Sequence, residues 1–171
     1  MKIFTVPGLF NSGPQHWQTA WEMKYGYTRI QQADWDTPVC AGWLMKIDEC
    51  VMSNDPAEVI LVGHSLGCCT IARWAGRFRR VIRGALLVAP SDVDAPTYPP
   101  GTTGFAPMPS QRLSFPSIVI ASNNDEYVTM ERAREFAYAW GSGFVDAGPL
   151  GHINSASALG DWPFVHQQLE Q

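Results

Sequence analysis

Charged residues are scarce in this chain, and so are long apolar runs. Only 16% of the 171 residues are charged, whereas 46% are hydrophobic. This balance excludes an intrinsically disordered chain, because it provides enough apolar surface to form a core. No apolar run approaches the roughly 20 residues that cross a bilayer, so we expect no membrane span. We expect no nucleic-acid partner, because the formal net charge of the chain is −4.

Cysteine is scarce as well, and the four residues stand at positions 40, 50, 68 and 69. A bridge between Cys68 and Cys69 would close a strained ring, and the spacing matches no zinc pattern. We therefore expect buried, reduced thiols in a cytoplasmic protein that carries neither a metal nor a cofactor. The first residues lack a signal-peptide cleavage site and favour a strand. With no linker or repeat, residues 1–171 are expected to form one domain.

Short apolar runs alternate with helix-like segments along the chain. Strands are predicted at 3–7, 28–33, 59–62, 84–89, 117–121 and 143–146, and several are continuously apolar, as in strands covered on both faces. Helices are predicted at 15–25, 38–52, 66–77, 129–140 and 159–169, the second with Thr37 as its N-cap and Pro38 in its first turn. This alternation predicts a doubly wound α/β fold. Its mostly parallel six-stranded sheet has the order 2-1-3-4-5-6, with helices on both faces.

Residues 91–115 interrupt this alternation, because five prolines exclude an ordinary helix or a central strand. A loop of this length is usually functional or mobile. Its apolar side chains either roof a site or dock on the core; they are Phe105, Met108, Leu113 and Phe115.

The motif Gly63-His64-Ser65-Leu66-Gly67 lies between an apolar run and a helix-like segment. A Gly-x-Ser-x-Gly sequence on a strand–turn–helix lifts the serine oxygen above a parallel sheet. Glycine is needed on both sides because the helix starts almost where the strand ends. The motif predicts that Ser65 is a nucleophile.

A serine hydroxyl needs a base within hydrogen-bond reach. His152 is the candidate, since it follows the last predicted strand in a glycine-containing loop that can reach over Ser65. His64 is expected to point away from the Ser65 hydroxyl and to pack, and His166 is expected to lie on a solvated helix face.

The base in turn needs a carboxylate that fixes its tautomer. Asp125 directly follows the fifth predicted strand, and the order Ser65, Asp125, His152 is the one expected for this fold. The alternatives at the same sheet edge are Asp92, Asp94 and Glu126.

Two backbone amides are expected to form an oxyanion hole. One is that of Leu66, next to the nucleophile, and the other is that of Leu9, in the loop after the first strand. These two positions face each other if the first and third strands are neighbours. The substrate pocket is expected to include Phe10, Asn11, His16, Trp17 and His64.

The chain resembles the α/β-hydrolases, and among them the small single-domain serine hydrolases related to retinoblastoma-binding protein nine. The resemblance covers nearly the whole chain and rests on Val6-Pro7-Gly8, on Trp35 and Pro38, and on residues 12–18, 63–67, 122–128 and 151–154. It implies Ser65, Asp125 and His152 as a catalytic triad and a compact fold without a large cap. It also implies that His16 and Trp17 shape the pocket wall, although a buried structural pair is the alternative.

These observations predict a serine hydrolase that cleaves small or medium carboxylic esters, or amides, through an acyl-enzyme intermediate. An amidase, a thioesterase or an acyltransferase would use the same triad. A binding protein that keeps the fold without turnover is the alternative from another class. No protein partner is inferred.

Overall fold

The computed structural model describes residues 1–170, and within them six parallel strands form one sheet in the order β2-β1-β3-β4-β5-β6. The strands are β1 (Lys2–Val6), β2 (Thr28–Arg29), β3 (Val59–His64), β4 (Gly84–Val88), β5 (Ser117–Ala121) and β6 (Gly143–Asp146). The α-helices are α1 (Trp17–Tyr25), α2 (Cys40–Met52), α3 (Leu66–Phe78), α4 (Met130–Trp140) and α5 (Pro163–His166). Single 3-10 turns occupy Pro56–Glu58, Ser155–Ser157 and Gln167–Glu170. The predicted sheet order and fold class are confirmed.

Apolar side chains cover both faces of the sheet. Val59 and Leu61 of β3 belong to a core with α2, α3 and α4, whereas Ile60 and Val62 belong to a second core with α1 and the C-terminal segment. Successive strand residues point to opposite faces, so a strand covered on both sides is apolar at every position. This explains why the apolar runs in the sequence are continuous.

The predicted start of α2 is wrong. Val39 is extended and forms a bridge with Thr103, which accepts from the Cys40 amide at 2.8 Å and donates to the Pro38 carbonyl at 3.0 Å. Val39 is therefore the N-cap, and the helix begins at Cys40. Thr37 caps no helix, because its hydroxyl and its amide both donate to the Asp34 carboxylate.

Two further elements are shorter than predicted. Strand β2 lies at the sheet edge and contains only Thr28–Arg29. The predicted helix over 159–169 is divided, because Trp162 has a φ of 35° and Pro163 cannot continue a helix from the preceding turn. The C-terminal segment therefore contains a short helix, α5, followed by a 3-10 turn.

The proline-rich loop packs on the protein with its apolar side chains. Phe105, Met108, Leu113 and Phe115 are all buried in the core of α2, α3 and α4. Of the two alternatives for these residues, docking on the core is confirmed.

The four cysteines are free thiols, and three of them are buried. Among residues 1–170, no helix is both long and apolar enough to cross a membrane.

Candidate active site

Ser65 lies in a strained turn between β3 and α3. Its φ of 54° and ψ of −122° are unusual for a residue other than glycine. Its amide donates to the Val88 carbonyl at 3.0 Å, and its carbonyl accepts from the Cys68 amide at 3.0 Å. A Cβ on Gly67 would lie 2.1 Å from the Val6 carbonyl oxygen, so only glycine fits where α3 crosses the end of β1.

The structure brings the predicted serine, histidine and aspartate together. Ser65 Oγ lies 2.8 Å from His152 Nε2, and His152 Nδ1 lies 2.9 Å from both carboxylate oxygens of Asp125. The Asp125 side chain is fully buried, and its Oδ1 also accepts from the Tyr127 amide at 2.8 Å. This arrangement can hold the His152 ring with Nε2 as the acceptor for the serine proton.

The alternative carboxylates have other partners or face solvent. Asp92 accepts from Arg132 Nε at 2.8 Å and from Arg132 Nη2 at 3.1 Å, so it forms a bidentate ion pair with this residue of α4. Asp94 accepts from the Met108 amide, and Glu126 is exposed. Asp125 alone among the four candidates contacts His152 in the described residues.

The loop after β1 lies against the serine turn, as predicted. A Cβ on Gly8 would lie 2.8 Å from Ser65 Cβ and 3.0 Å from the Leu66 amide nitrogen. Within residues 1–170, the amides of Leu9 and Leu66 donate to no protein acceptor. Two free donors beside a serine hydroxyl can receive an oxyanion.

A cavity of about 400 Å³ opens above Ser65 and His152. Four of the five predicted pocket residues line it, namely Phe10, Asn11, His16 and His64. Phe10 is 64% exposed and has a φ of 65°, which places its ring at the mouth of the cavity. Asn11 also accepts from Arg29 Nη1 at 3.0 Å through its Oδ1.

Trp17 and His166 do not occupy their predicted places. Trp17 is 1% exposed and lies outside the cavity lining, because its ring packs in the core and its Nε1 donates to the Ile153 carbonyl at 2.8 Å. His166 is not on a solvated face. It stacks on Tyr25 with a centroid distance of 3.9 Å, and its Nε2 is 2.7 Å from the Tyr27 hydroxyl.

His16 and His64 form a neutral wall behind His152. The His64 ring contacts both of the other rings, with centroid distances of 4.6 Å to His16 and 5.0 Å to His152. Burial lowers the pKa of His16 to about 3, with smaller effects from the charge of Arg29 and from His152. Burial also lowers the pKa of His64 well below its usual value, and His16 adds to this effect. Both rings are therefore uncharged at neutral pH.

Several residues that line the cavity were not predicted from the sequence. Tyr98 and Pro99 come from the proline-rich loop, Tyr127 follows Asp125, and residues 154–156 follow His152. The Tyr127 ring lies 4.5 Å from the His152 ring, and burial raises the pKa of Tyr98 to about 12. The proline-rich loop thus contributes to the roof, but through other residues than those predicted, since a one-dimensional pattern does not indicate which aromatic side chains turn inward.

Among residues 1–170, the lining of the cavity contains no Asp, Glu, Lys or Arg side chain. The described residues also contain no cluster of three His, Cys, Asp or Glu side chains that could hold a metal ion.

Comparison with known proteins places the chain among hydrolases. A family model of serine hydrolases matches residues 3–171. The crystal structure of a YdeN-like hydrolase from Pectobacterium atrosepticum is 31% identical, with a TM-score of 0.85 over 98% of this chain and 88% of that chain. Comparison with curated proteins gives no match.

Two more distant structures share the fold. The YdeN protein of Bacillus subtilis is 19% identical, with a TM-score of 0.80 over 99% of this chain and 96% of that chain. Est1E from Butyrivibrio proteoclasticus, solved with ferulic acid, is 12% identical, with a TM-score of 0.65 over 99% of this chain and 89% of that chain. The particular resemblance to the group of retinoblastoma-binding protein nine stays a prediction. The chain belongs to the serine hydrolase family, and it has the fold of the α/β-hydrolases.

Proposed function

We propose that this protein hydrolyses small or medium uncharged carboxylic esters through an acyl-enzyme intermediate. In this proposal Ser65 is the nucleophile, His152 the general base and acid, and Asp125 the residue that orients His152. The observation that carries it is the unbroken hydrogen-bond chain from Ser65 Oγ through the His152 ring to Asp125, with distances of 2.8 Å and 2.9 Å.

Acylation begins with a proton transfer. His152 Nε2 takes the proton of the Ser65 hydroxyl as Oγ forms a bond with the carbonyl carbon of the ester. The Asp125 carboxylate stabilises the resulting imidazolium, because both of its oxygens lie 2.9 Å from Nδ1. The tetrahedral intermediate collapses when its bond to the alcohol oxygen breaks and His152 Nε2 gives its proton to that oxygen.

The negative charge of the intermediate requires donors that are already in position. The amides of Leu9 and Leu66 supply them, since neither donates to another group of the described chain. Each such donor is worth about 100- to 1000-fold in rate. Deacylation repeats the steps with water: His152 takes a proton from water, the hydroxide attacks the acyl carbon, and Ser65 leaves with the proton.

The cavity supports the choice of substrate. Its volume of about 400 Å³ accommodates a short acyl group and its alcohol rather than a long lipid chain. A charged acyl group would lose its hydration there without meeting an opposite charge, because the described lining contains no Asp, Glu, Lys or Arg side chain and His16 is neutral.

A panel of nitrophenyl derivatives tests this function. We expect turnover of p-nitrophenyl acetate and butyrate, and at least tenfold lower kcat/KM for the p-nitrophenyl ester of succinate, whose acyl group carries a charge. Anilide and thioester analogues of the same acyl groups measure the preference for the scissile bond, and a faster reaction with one of them would make the protein an amidase or a thioesterase. An acyltransferase would be recognised by faster release of nitrophenol when an alcohol acceptor is added.

Two histidine variants control the assay. His152→Ala is expected to abolish turnover, whereas His166→Gln should retain it, because His166 contacts Trp21 and does not line the cavity. Equal, background rates for wild type and His152→Ala would contradict the proposal and favour a binding protein that lacks turnover.

A further inference from the structure

The segment that carries His152 has no regular secondary structure of its own. Residues 147–154, here called the His152 loop, lie between β6 and a 3-10 turn and belong to neither a helix nor a strand. Gly148, Gly151 and Ile153 have positive φ angles. Ordering such a loop costs more conformational entropy than ordering a helix does, and its backbone groups need partners from elsewhere.

Side chains of the loop after β5 hold the backbone before His152. The Leu150 amide donates to Ser122 Oγ at 2.9 Å, and the Gly151 amide donates to Asn124 Oδ1 at 2.7 Å. Ser122 Oγ also donates to Asn124 Oδ1 at 2.8 Å. Because the backbone amide of Gly151 can only donate, the atom of Asn124 that it contacts is the carbonyl oxygen.

One side chain from the end of β3 and one from the start of α1 hold the backbone at and after His152. His64 Nε2 lies 2.9 Å from the His152 carbonyl oxygen and donates to it, and Trp17 Nε1 donates to the Ile153 carbonyl at 2.8 Å. Four consecutive residues of the His152 loop, 150–153, are therefore each fixed by a side chain from another part of the chain.

We propose that these four side chains form a clamp that positions His152 against Ser65, and that Asn124 is a positioning residue for the reaction. This inference rests on the proposed function, because Asn124 acts only through His152. Asn124 and Asp125 are adjacent, and they contact the adjacent Gly151 and His152, so one segment holds both the backbone and the ring of the base. The clamp gives Trp17 a role other than the predicted pocket wall, and it gives His64 a role in addition to its place in the cavity lining.

Asn124 is the member of the clamp that can be changed with least effect on folding, because it is exposed whereas Ser122, His64 and Trp17 are buried. We expect Asn124→Ala to lower kcat on p-nitrophenyl acetate by at least about tenfold and to leave KM within about twofold, since a small misplacement of a catalytic group mainly affects the chemical step. Asn124→Asp keeps the acceptor oxygen and should restore most of the activity.

The neighbouring Asn123 provides a matched control. It is also exposed, and among residues 1–170 its side chain has no hydrogen-bond partner. Asn123→Ala should therefore have the kcat of wild type. Equal kcat values for Asn124→Ala and Asn123→Ala would overturn the inference, as would an Asn124→Asp variant no more active than Asn124→Ala.

Hydrogen exchange separates this inference from the proposed function, because it needs no turnover. The Gly151 amide should exchange at least about tenfold faster in Asn124→Ala than in wild type, while Asn124→Asp and Asn123→Ala should keep its protection. A wild type without esterase activity but with this exchange pattern would contradict the proposed function alone. Unchanged exchange at Gly151 in Asn124→Ala would overturn the clamp.

Discussion

At the scale of single residues, the site depends on a serine held in a conformation that serine disfavours. A positive φ at a residue other than glycine costs roughly 1–3 kcal/mol, and it persists only where the surroundings enforce it. The hydrogen bonds of Ser65 to Val88 and Cys68 and the close approach of Gly67 to β1 provide those surroundings. The strain holds the serine oxygen at the open edge of the sheet.

The space around Gly67 predicts a large loss of stability on substitution. Gly67→Ala should lower the free energy of unfolding by about 3 kcal/mol or more, because the new methyl group would overlap the Val6 carbonyl, which is backbone and cannot turn aside. Gly13→Ala is the control, since nothing lies within 4 Å of a Cβ at that position. Urea unfolding of both variants measures the difference, and similar midpoints would show that the turn has room for a side chain.

Two buried carboxylates at the same sheet edge should respond differently to the same substitution. Asp125→Asn should reduce kcat by about 10³- to 10⁴-fold with little change in stability, because an amide favours the wrong tautomer of His152. Asp92→Asn should retain activity but lose about 1–3 kcal/mol of stability, because it breaks a bidentate pair with Arg132. Steady-state kinetics and urea unfolding of each variant measure both effects; an inactive Asp92→Asn beside an active Asp125→Asn would reverse the assignment.

Much of the site could be predicted from residue types and their order. Ser65, Asp125 and His152 follow the strand ends that a parallel sheet brings to one edge, so their proximity is a consequence of topology. The roles of Tyr98 and Trp17 could not be predicted in this way. Whether an aromatic ring faces a cavity or the core depends on the path of a loop, and neither hydrophobicity nor spacing encodes that path.

At the scale of elements, strands and helices with a strong local signal were predicted well. The bounds of β5 and β6 agree with the predicted ones. Every residue of these two strands pairs with a residue of a neighbouring strand. The start of α2 was not predicted correctly, because it depends on Thr103, which is distant in sequence. Tertiary pairing of Val39 overrides the local preference for a cap at Thr37.

The two threonines at predicted helix starts should therefore contribute differently to the stability of the folded protein. Thr129 caps α4 and accepts from the Arg132 amide at 3.2 Å, so Thr129→Ala should cost about 1 kcal/mol. Thr37→Ala should change stability by less than about 0.5 kcal/mol, because Thr37 caps no helix and its bonds to Asp34 are exposed. Thermal unfolding of both variants measures the two losses, and equal losses would contradict the predicted difference between a helix cap and an exposed turn.

At the scale of the whole molecule, the buried histidines link stability to pH. His16 is neutral in the folded protein down to about pH 3, whereas in the unfolded chain it takes up a proton below about pH 6.5. The unfolded state then binds more protons, so the free energy of unfolding falls as the pH falls from 6.5 towards 3. His64 acts in the same direction.

Replacement of His16 should flatten this dependence. In the wild type, His16 Nδ1 caps α1 by accepting from the Gln18 amide at 3.1 Å. In His16→Asn the side-chain amide oxygen can accept this hydrogen bond instead, but the side chain does not titrate. The difference in stability between wild type and variant should change by up to about 1.4 kcal/mol for each pH unit between pH 6 and pH 4. Urea unfolding across this range provides the measurement, and parallel curves for the two proteins would contradict a depressed pKa at His16.

Reaction of the protein with a fluorophosphonate shows whether Ser65 is an activated nucleophile, and it needs no knowledge of the natural substrate. We expect one covalent adduct per wild-type molecule, located at Ser65 by peptide mass spectrometry, and none in Ser65→Ala. We also expect His152→Ala to react at Ser65 at least about 100-fold more slowly, since the serine has lost its base. An unlabelled wild type, an adduct at another residue, or equal labelling of Ser65→Ala would contradict the assignment of Ser65 as an activated nucleophile.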